Sequence, residues 1–168
     1  MSQRARPQPV PPAPGQESVW AYPRPPRLER TSAPIEIWLG GQRIAQTTAA
    51  FRVLETSHPP TYYLPKEDFA PGVLSRAPGG SVCEWKGEAT YWTVQAGGRV
   101  EEGAGWSYEH PAAPFALMAG HVAVYAGRMD ECRVNDVRVT PQPGGFYGGW
   151  ITPNVVGPFK GEPGSWGW

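Results

Sequence analysis

The chain has 168 residues, enough for one domain of ordinary size with tails. Fifteen Lys and Arg balance fifteen Asp and Glu, which argues against a nucleic-acid partner, because phosphate binding relies on clustered cations. Large aliphatic side chains are sparse, but eight Trp and seven Tyr can bury area while keeping a polar handle, so a modest, aromatic-rich core is expected.

Residues 1–16 centre on Arg6-Pro7-Gln8-Pro9-Val10-Pro11-Pro12, a polyproline-biased stretch with little to bury, and are expected to be disordered. The first thirty residues carry Arg4, Arg6, Arg24, Arg27 and Arg30 against Glu17 and Glu29, an excess read as a solvated arm. No apolar run approaches the ~20 residues of a membrane span, and no apolar segment follows the first arginines as in a secretory signal. Cys83 and Cys132 stand alone and fit reduced thiols. A cytoplasmic protein without a membrane partner is the expectation.

Val19, Trp20 and Tyr22 form a short aromatic segment before Pro23, expected to lie extended over the domain. Ile35, Ile37 and Leu39 alternate with polar or outward residues, Gly40-Gly41 turns, and 42–48 returns, so a hairpin is predicted. Strands are predicted at 51–55 and 61–64, then one helical turn at 65–69, where proline precedes acids. Residues 89–96 alternate cleanly, with Thr90, Trp92 and Val94 on one face and Tyr91, Thr93 and Gln95 on the other. Gly97-Gly98 returns the chain into 99–100. Further strands are predicted at 105–108, 122–125 and 136–140, with a short helix at 114–118. Many short strands with glycine turns and little helix indicate a mainly β domain over 17–141. Residues 142–168 have no strand or helix period, and 144–168 hold eight Gly beside Phe146, Tyr147, Trp150, Phe159, Trp166 and Trp168. Six rings are too many to leave in water, so this extension is expected to pack without regular structure along the domain or across to a second copy, as a homodimer.

Several segments together resemble a known family. They are Glu17-Ser18-Val19-Trp20 with Tyr22-Pro23-Arg24-Pro25-Pro26, then Glu55-Thr56-Ser57-His58-Pro59-Pro60 with Tyr62-Tyr63 and Pro65. Cys83, Lys86-Gly87, Ala89, Tyr91-Trp92, Trp106-Ser107-Tyr108, Gly120, Val122-Ala123, Tyr125 and Arg128-Met129-Asp130 continue the series. In this combination, over roughly 17–130, the chain resembles the domain of unknown function 427 family, which also carries the label nucleotidyltransferase. The resemblance implies a small fold similar to the β-tent group, with two antiparallel sheets meeting at an angle. Several β-tent relatives bind zinc through two pairs of closely spaced cysteines. This chain lacks such pairs, so that site does not carry over.

The residues leave four chemistries to weigh. For a metal, Cys83, Cys132, His58, His110 and His121 are the soft ligands, and none form a local pair, so a metal-independent fold without cofactor is expected. For a thiol nucleophile, Cys83 would need His58 or His121 as base and Lys86 to hold an anion. Nucleotidyl transfer would need Glu55, Asp68 and Asp130 to converge, since neither an Asp-x-Asp pair nor a P-loop is present. The fourth is a binding site for a small polar or anionic molecule. Arg24, Arg52, Lys86 and Arg128 would fix an anion or carboxylate, Tyr62, Tyr63, Tyr91 and Tyr108 would hydrogen-bond, and Trp92 and Trp106 would supply flat walls. The structural alternative pairs Arg52 with Glu55 and puts the rings in the core. The reading adopted is a ligand pocket formed by the His58 loop and the segment from Lys86 to Trp92. The same place would serve a small enzyme with His58 or Glu55 as acid or base. An interaction module built on the aromatic extension is the third alternative.

Overall fold

Alternation of side chains shapes this molecule. The computed structural model describes residues 7–83 and 85–168, and the expectations for residues 1–6, with Arg4 and Arg6, lie outside them. In chain order the strands are β1 (Glu17–Ser18), β2 (Arg27–Thr31), β3 (Ile35–Leu39), β4 (Gln42–Thr47), β5 (Ala50–Leu54), β6 (Thr61–Pro65), β7 (Leu74–Cys83), β8 (Gly87–Ala96), β9 (Arg99–Ser107), β10 (His121–Val124), β11 (Glu131–Val134), β12 (Val137–Arg138), β13 (Thr140–Pro141), β14 (Trp150–Ile151) and β15 (Val155–Val156). The principal sheet has seven strands in the order β2-β5-β6-β10-β9-β8-β7, and a second has four in the order β12-β11-β3-β4. Both are antiparallel throughout. The domain is therefore mainly β. Two small pairings, β13 with β14 and a parallel β1 with β15, add to the two sheets implied by the β-tent resemblance.

The main core lies between the two large sheets. Ile35, Ile37 and Leu39 of β3 meet Leu64 of β6, Val94 of β8 and Val122 and Val124 of β10, all fully buried. A strand sends successive side chains to opposite faces, so the same strands also supply the outer face of the seven-stranded sheet. There Phe51, Tyr63, Ala123 and Trp106 occupy facing positions on β5, β6, β10 and β9, and with Tyr108, Phe115 and Met118 they form a second buried cluster. The two glycine hairpin tips meet each other. A Cβ at Gly40 would strike the Ala96 carbonyl, and one at Gly97 the Gly40 carbonyl, so both turns require glycine for contact as well as for positive φ.

The structure revises several expected elements. The pieces foreseen at 99–100 and 105–108 are one strand, β9, because an irregular register opposite Trp92 and Val94 absorbs the Gly103 break. Strand β7 was not foreseen. Its Pro78-Gly79-Gly80 suggests a loop, yet β7 is an edge strand with a register shift between Arg76 and Gly80, where a missing N–H costs nothing. Strands β2 and β11 were also missed, since Arg27-Leu28-Glu29-Arg30-Thr31 has the polarity of an edge and Glu131–Val134 is very short. The strand expected at 136–140 is divided. Asn135 and Asp136 adopt positive φ and turn β11 into β12, after which Val139 leaves for the core and β13 begins in another sheet. The Val19–Ala21 segment is a 3-10 turn rather than extended, with Val19 fully buried. The turns at Lys66–Asp68 and Ala113–Met118 match the short helices expected there, as 3-10 turns.

The extension packs against the β domain, but it contains β14 and β15, so it is not free of regular structure. Trp150 is its anchor. It is 1% exposed, stacks on Tyr62 with ring centroids 5.2 Å apart, and donates its indole N–H to the Val124 carbonyl at 3.1 Å. Not all six rings dock, because Phe146 and Trp166 remain exposed. Residues ahead of β1 touch the same segment: Val10 N–H donates to the Gly157 carbonyl at 2.8 Å. Replacing Trp150 with Ala would remove a stacked ring and leave the Val124 carbonyl without its indole partner. We expect a loss of about 3 to 5 kcal/mol in urea denaturation. A loss below about 1 kcal/mol would show that the extension is not held by this residue.

Candidate functional site

The outer face of the seven-stranded sheet carries a cavity of about 600 Å³. Period two builds its floor: Val53 and Glu55, Thr61 and Tyr63, Ser81 and Cys83, Ala89 and Tyr91, and Trp106 and Tyr108 are each two residues apart along neighbouring chain segments. The opposite wall comes from the extension, through Gln142, Tyr147 and Lys160. Gly148 lets that wall lie on Trp106, since a Cβ there would overlap the indole, and a Cβ at Gly149 would strike the Pro59 carbonyl and the Gln142 amide. Across this glycine-flanked segment lies a smaller hollow of about 380 Å³, which shares Tyr125, Gln142 and Tyr147 with the larger one.

The His58 loop is held in a costly conformation. His58 N–H donates to the Glu55 carbonyl at 3.0 Å, closing a turn whose third residue, Ser57, has φ +72. That position favours glycine or asparagine. Ser57 is fully buried, and its hydroxyl has no hydrogen-bond partner among the described residues. Its backbone is nevertheless pinned from both sides: the N–H donates to the Val19 carbonyl and the carbonyl accepts from Lys160 N–H at 2.8 Å. The turn thereby joins the amino-terminal segment, the sheet and the extension.

His58 is mostly buried against the edge of Tyr147, with ring centroids 4.7 Å apart. Its Nε2 lies 3.5 Å from Glu55 Oε2, a contact that by itself favours the imidazolium. Burial and the positive charges of Lys160, Arg24 and Lys86 work against it and push the ring down to about 4. These outweigh Glu55 because that carboxylate is also engaged by Arg24 at 3.6 Å. Burial likewise pushes the Tyr63 and Tyr108 phenols up, so both stay neutral hydrogen-bonding groups. Tyr63 accepts the Trp106 indole N–H at 3.2 Å, and Tyr91 shares a 2.7 Å hydrogen bond with Ser81.

Of the residues singled out from sequence, Glu55, His58, Tyr63, Cys83, Lys86, Tyr91, Trp106 and Tyr108 come together around the cavity. Five of the residues assigned to the ligand pocket stand elsewhere. Arg52 is bound to Glu17 and Glu29 rather than to Glu55, with hydrogen bonds to Glu17 at 2.9 and 3.2 Å, and these hydrogen bonds hold the Glu17 carboxyl low. Tyr62 and Trp92 belong to the core between the sheets, and Trp92 donates to Ser107 at 2.9 Å. Arg24 lies behind Glu55 and donates to the Thr56 carbonyl. Arg128 donates to the Glu102 carbonyl and lines the smaller hollow. Tyr62 and Tyr63, like Trp92 and Tyr91, are neighbours in sequence, so alternation sends one of each pair into the core.

Sequence reasoning did not single out Trp85, Tyr125, Gln142, Tyr147 or Lys160 as lining residues. Tyr125 was readable as the residue two beyond Ala123, on the same face as Trp106. Gln142 and Lys160 carried no local signal, because the extension reaches the sheet only through tertiary packing. Cys83 packs against the buried cluster that contains Tyr108, and among the described residues no hydrogen bond joins it to a histidine. His121 lies apart from the cavity lining, with its ring on the edge of Phe51. Among the described residues no three His, Cys, Asp or Glu side chains gather as a metal site, and no helix is long and apolar enough to cross a membrane.

A family model described as Domain of unknown function (DUF427) matches residues 27–135. The chain belongs to this family. No curated protein matches it. The matched segment runs from β2 to the end of β11 and holds the cavity floor, whereas Gln142, Tyr147 and Lys160 lie beyond it.

Two outcomes follow from the loop. His58 binds its proton near 6.5 when unfolded but only near 4 in the fold, so between those values the unfolded state holds more protons. Its contribution to stability is complete above about pH 6.5 and is lost as pH falls toward 4, a change on the order of 3 kcal/mol. Urea denaturation of the wild type across this window should show that slope, and His58→Gln should flatten it; an equal slope in the variant would assign the dependence to other groups. Ser57→Gly should relieve the positive φ and remove the unpaired hydroxyl, raising stability by about 1 kcal/mol. A drop in melting temperature would instead reveal a contact made by that hydroxyl.

Proposed function

We propose that the cavity binds a small organic anion, with a ring against the aromatic walls and the anionic group between Lys86 and Lys160. One observation carries this reading. Both ammonium groups border the cavity, and among the described residues neither has a side-chain carboxylate within 4 Å. Lys86 lies over Tyr108 at 5.7 Å, while Lys160 lies over Tyr147 at 5.7 Å and donates to the Trp168 carbonyl. Cations held beside rings in a partly enclosed space, with the nearby Glu55 already engaged by Arg24, suit an incoming negative charge. The volume fits a ligand the size of a mononucleotide or an aromatic acid.

Nucleotidyl transfer, which the family's short label names, is less well supported by the geometry. Asp130 accepts Gly41 N–H at 2.8 Å and pairs with Arg99, while Glu55 pairs with Arg24, so these acids are held in separate networks. Metal-assisted phosphoryl transfer needs carboxylates brought together.

Isothermal titration calorimetry with adenosine monophosphate, benzoate and inorganic phosphate tests the reading. The ring-bearing anions should bind more tightly than phosphate, and Lys86→Ala and Lys160→Ala should each weaken them about tenfold or more at unchanged melting temperature. Undiminished binding in both variants, or no binding of any probe, would overturn it.

A further inference from the structure

Gln142 is 4% exposed, and among the described residues its side chain has three polar neighbours, two of them with fixed roles. Gly149 N–H can only donate, and it donates to Gln142 Oε1 at 3.0 Å. The Lys160 carbonyl can only accept, and it accepts from Gln142 Nε2 at 2.8 Å. These two partners fix which way the amide points, because flipping it would set N–H against N–H and oxygen against oxygen. The remaining amide N–H faces His58 Nδ1 at 3.1 Å. That nitrogen must therefore accept. In a neutral ring the single proton then sits on Nε2, on the side of Glu55.

We propose that Gln142 is a positioning residue for His58, fixing the Nε2–H tautomer and the ring plane at the cavity wall, so that the extension beyond the family-matched segment is a working part of the site. The role of the ring toward a ligand rests on the anion-binding reading above; the tautomer does not. Among the described residues, the charged and titratable groups around the imidazole are Glu55, Arg24, Lys86, Lys160 and Tyr147. None of them offers Nδ1 a partner in place of the amide. An imidazolium would bring its own Nδ1–H against that of Gln142, so the arrangement opposes protonation by geometry as well as by burial. The backbone supports it, since Lys160 N–H bonds to Ser57 next to His58 while Gln142 N–H bonds to the Gly149 carbonyl. Loop and extension thus meet at one amide.

Long-range proton–nitrogen NMR of the imidazole tests this directly on the full chain. In the wild type, Nε2 should carry the proton and Nδ1 should be bare. Gln142→Glu keeps the shape and the acceptor for Gly149 but offers Nδ1 an acceptor instead of a donor. It should move the proton to Nδ1 and raise the titration midpoint of His58 by about one pH unit or more. Gln142→Leu should leave a mixture of tautomers. An Nδ1–H tautomer in the wild type, or an unaltered tautomer and midpoint in Gln142→Glu, would refute the positioning role. A full tautomer switch in a protein that binds none of the calorimetric probes would support positioning while overturning the anion-binding reading.

Discussion

Period-two alternation across the seven-stranded sheet is the constraint on which the rest depends. Because β6, β8, β10 and the part of β9 from Gly105 onward are covered on one side by the four-stranded sheet, every second residue there is committed to the inter-sheet core. The intervening residues must face outward, and in this chain they are Tyr63, Tyr91, Trp106 and Ala123. Such a surface is too aromatic to leave in water. The chain covers it in part, with Phe115 and Met118 of one 3-10 turn and with the extension, and the space left between cover and sheet is the cavity. Site and core are thus two faces of one pattern.

The cover is secured at a distance from the space it encloses. Trp150 crosses to the inter-sheet core and stacks on Tyr62, and its backbone N–H donates to the Pro60 carbonyl at 2.8 Å. Burial of one large ring there is worth a few kcal/mol, enough to order a glycine-rich segment that would otherwise gain little from docking. With that anchor in place, Gly148 and Gly149 can lie against Trp106 and Pro59 without side chains of their own. Gln142, Tyr147 and Lys160 are then delivered to the wall.

Charge is arranged differently at the rim and in the supports. Arg52, largely buried, is satisfied by Glu17 and Glu29, while Glu17 also accepts from Tyr22 at 2.8 Å, which ties the amino-terminal segment to β5. Burial alone would weaken that guanidinium, but the hydrogen bonds to Glu17 and Glu29 more than compensate and keep it charged. Around the cavity the balance is reversed. His58 is kept neutral by burial beside cations, and Lys86 and Lys160 are left to interact with rings and a carbonyl. A closed ion-pair cluster serves attachment, whereas at the cavity neither ammonium group has a carboxylate partner among the described residues, which is the feature behind the anion-binding proposal.

What the sequence determined by itself was local. The Gly40-Gly41 and Gly97-Gly98 turns, the alternation from Ala89 to Ala96, and the compact run from Glu55 to Tyr63 were legible because each follows from neighbours within a few residues. They identified a mainly β domain and eight of the residues around the cavity. Choices between adjacent rings were not legible. Whether Tyr62 or Tyr63, and whether Tyr91 or Trp92, faces the cavity depends on which side the second sheet covers, and that is a fact of packing. Arg52, Arg24 and Arg128 show the same limit, since a charge's partner is set by whatever segment folds beside it, here Glu17, Glu29, Glu55 and the Glu102 carbonyl. Gln142 and Lys160 mark it most clearly. They lie 84 and 102 positions from His58 along the chain, and only the docking of the extension through Trp150 brings them to its ring and its loop. Periodicity specifies which residues share a face; it does not specify what will cover that face, because the covering contacts are made between segments that have no fixed spacing in sequence.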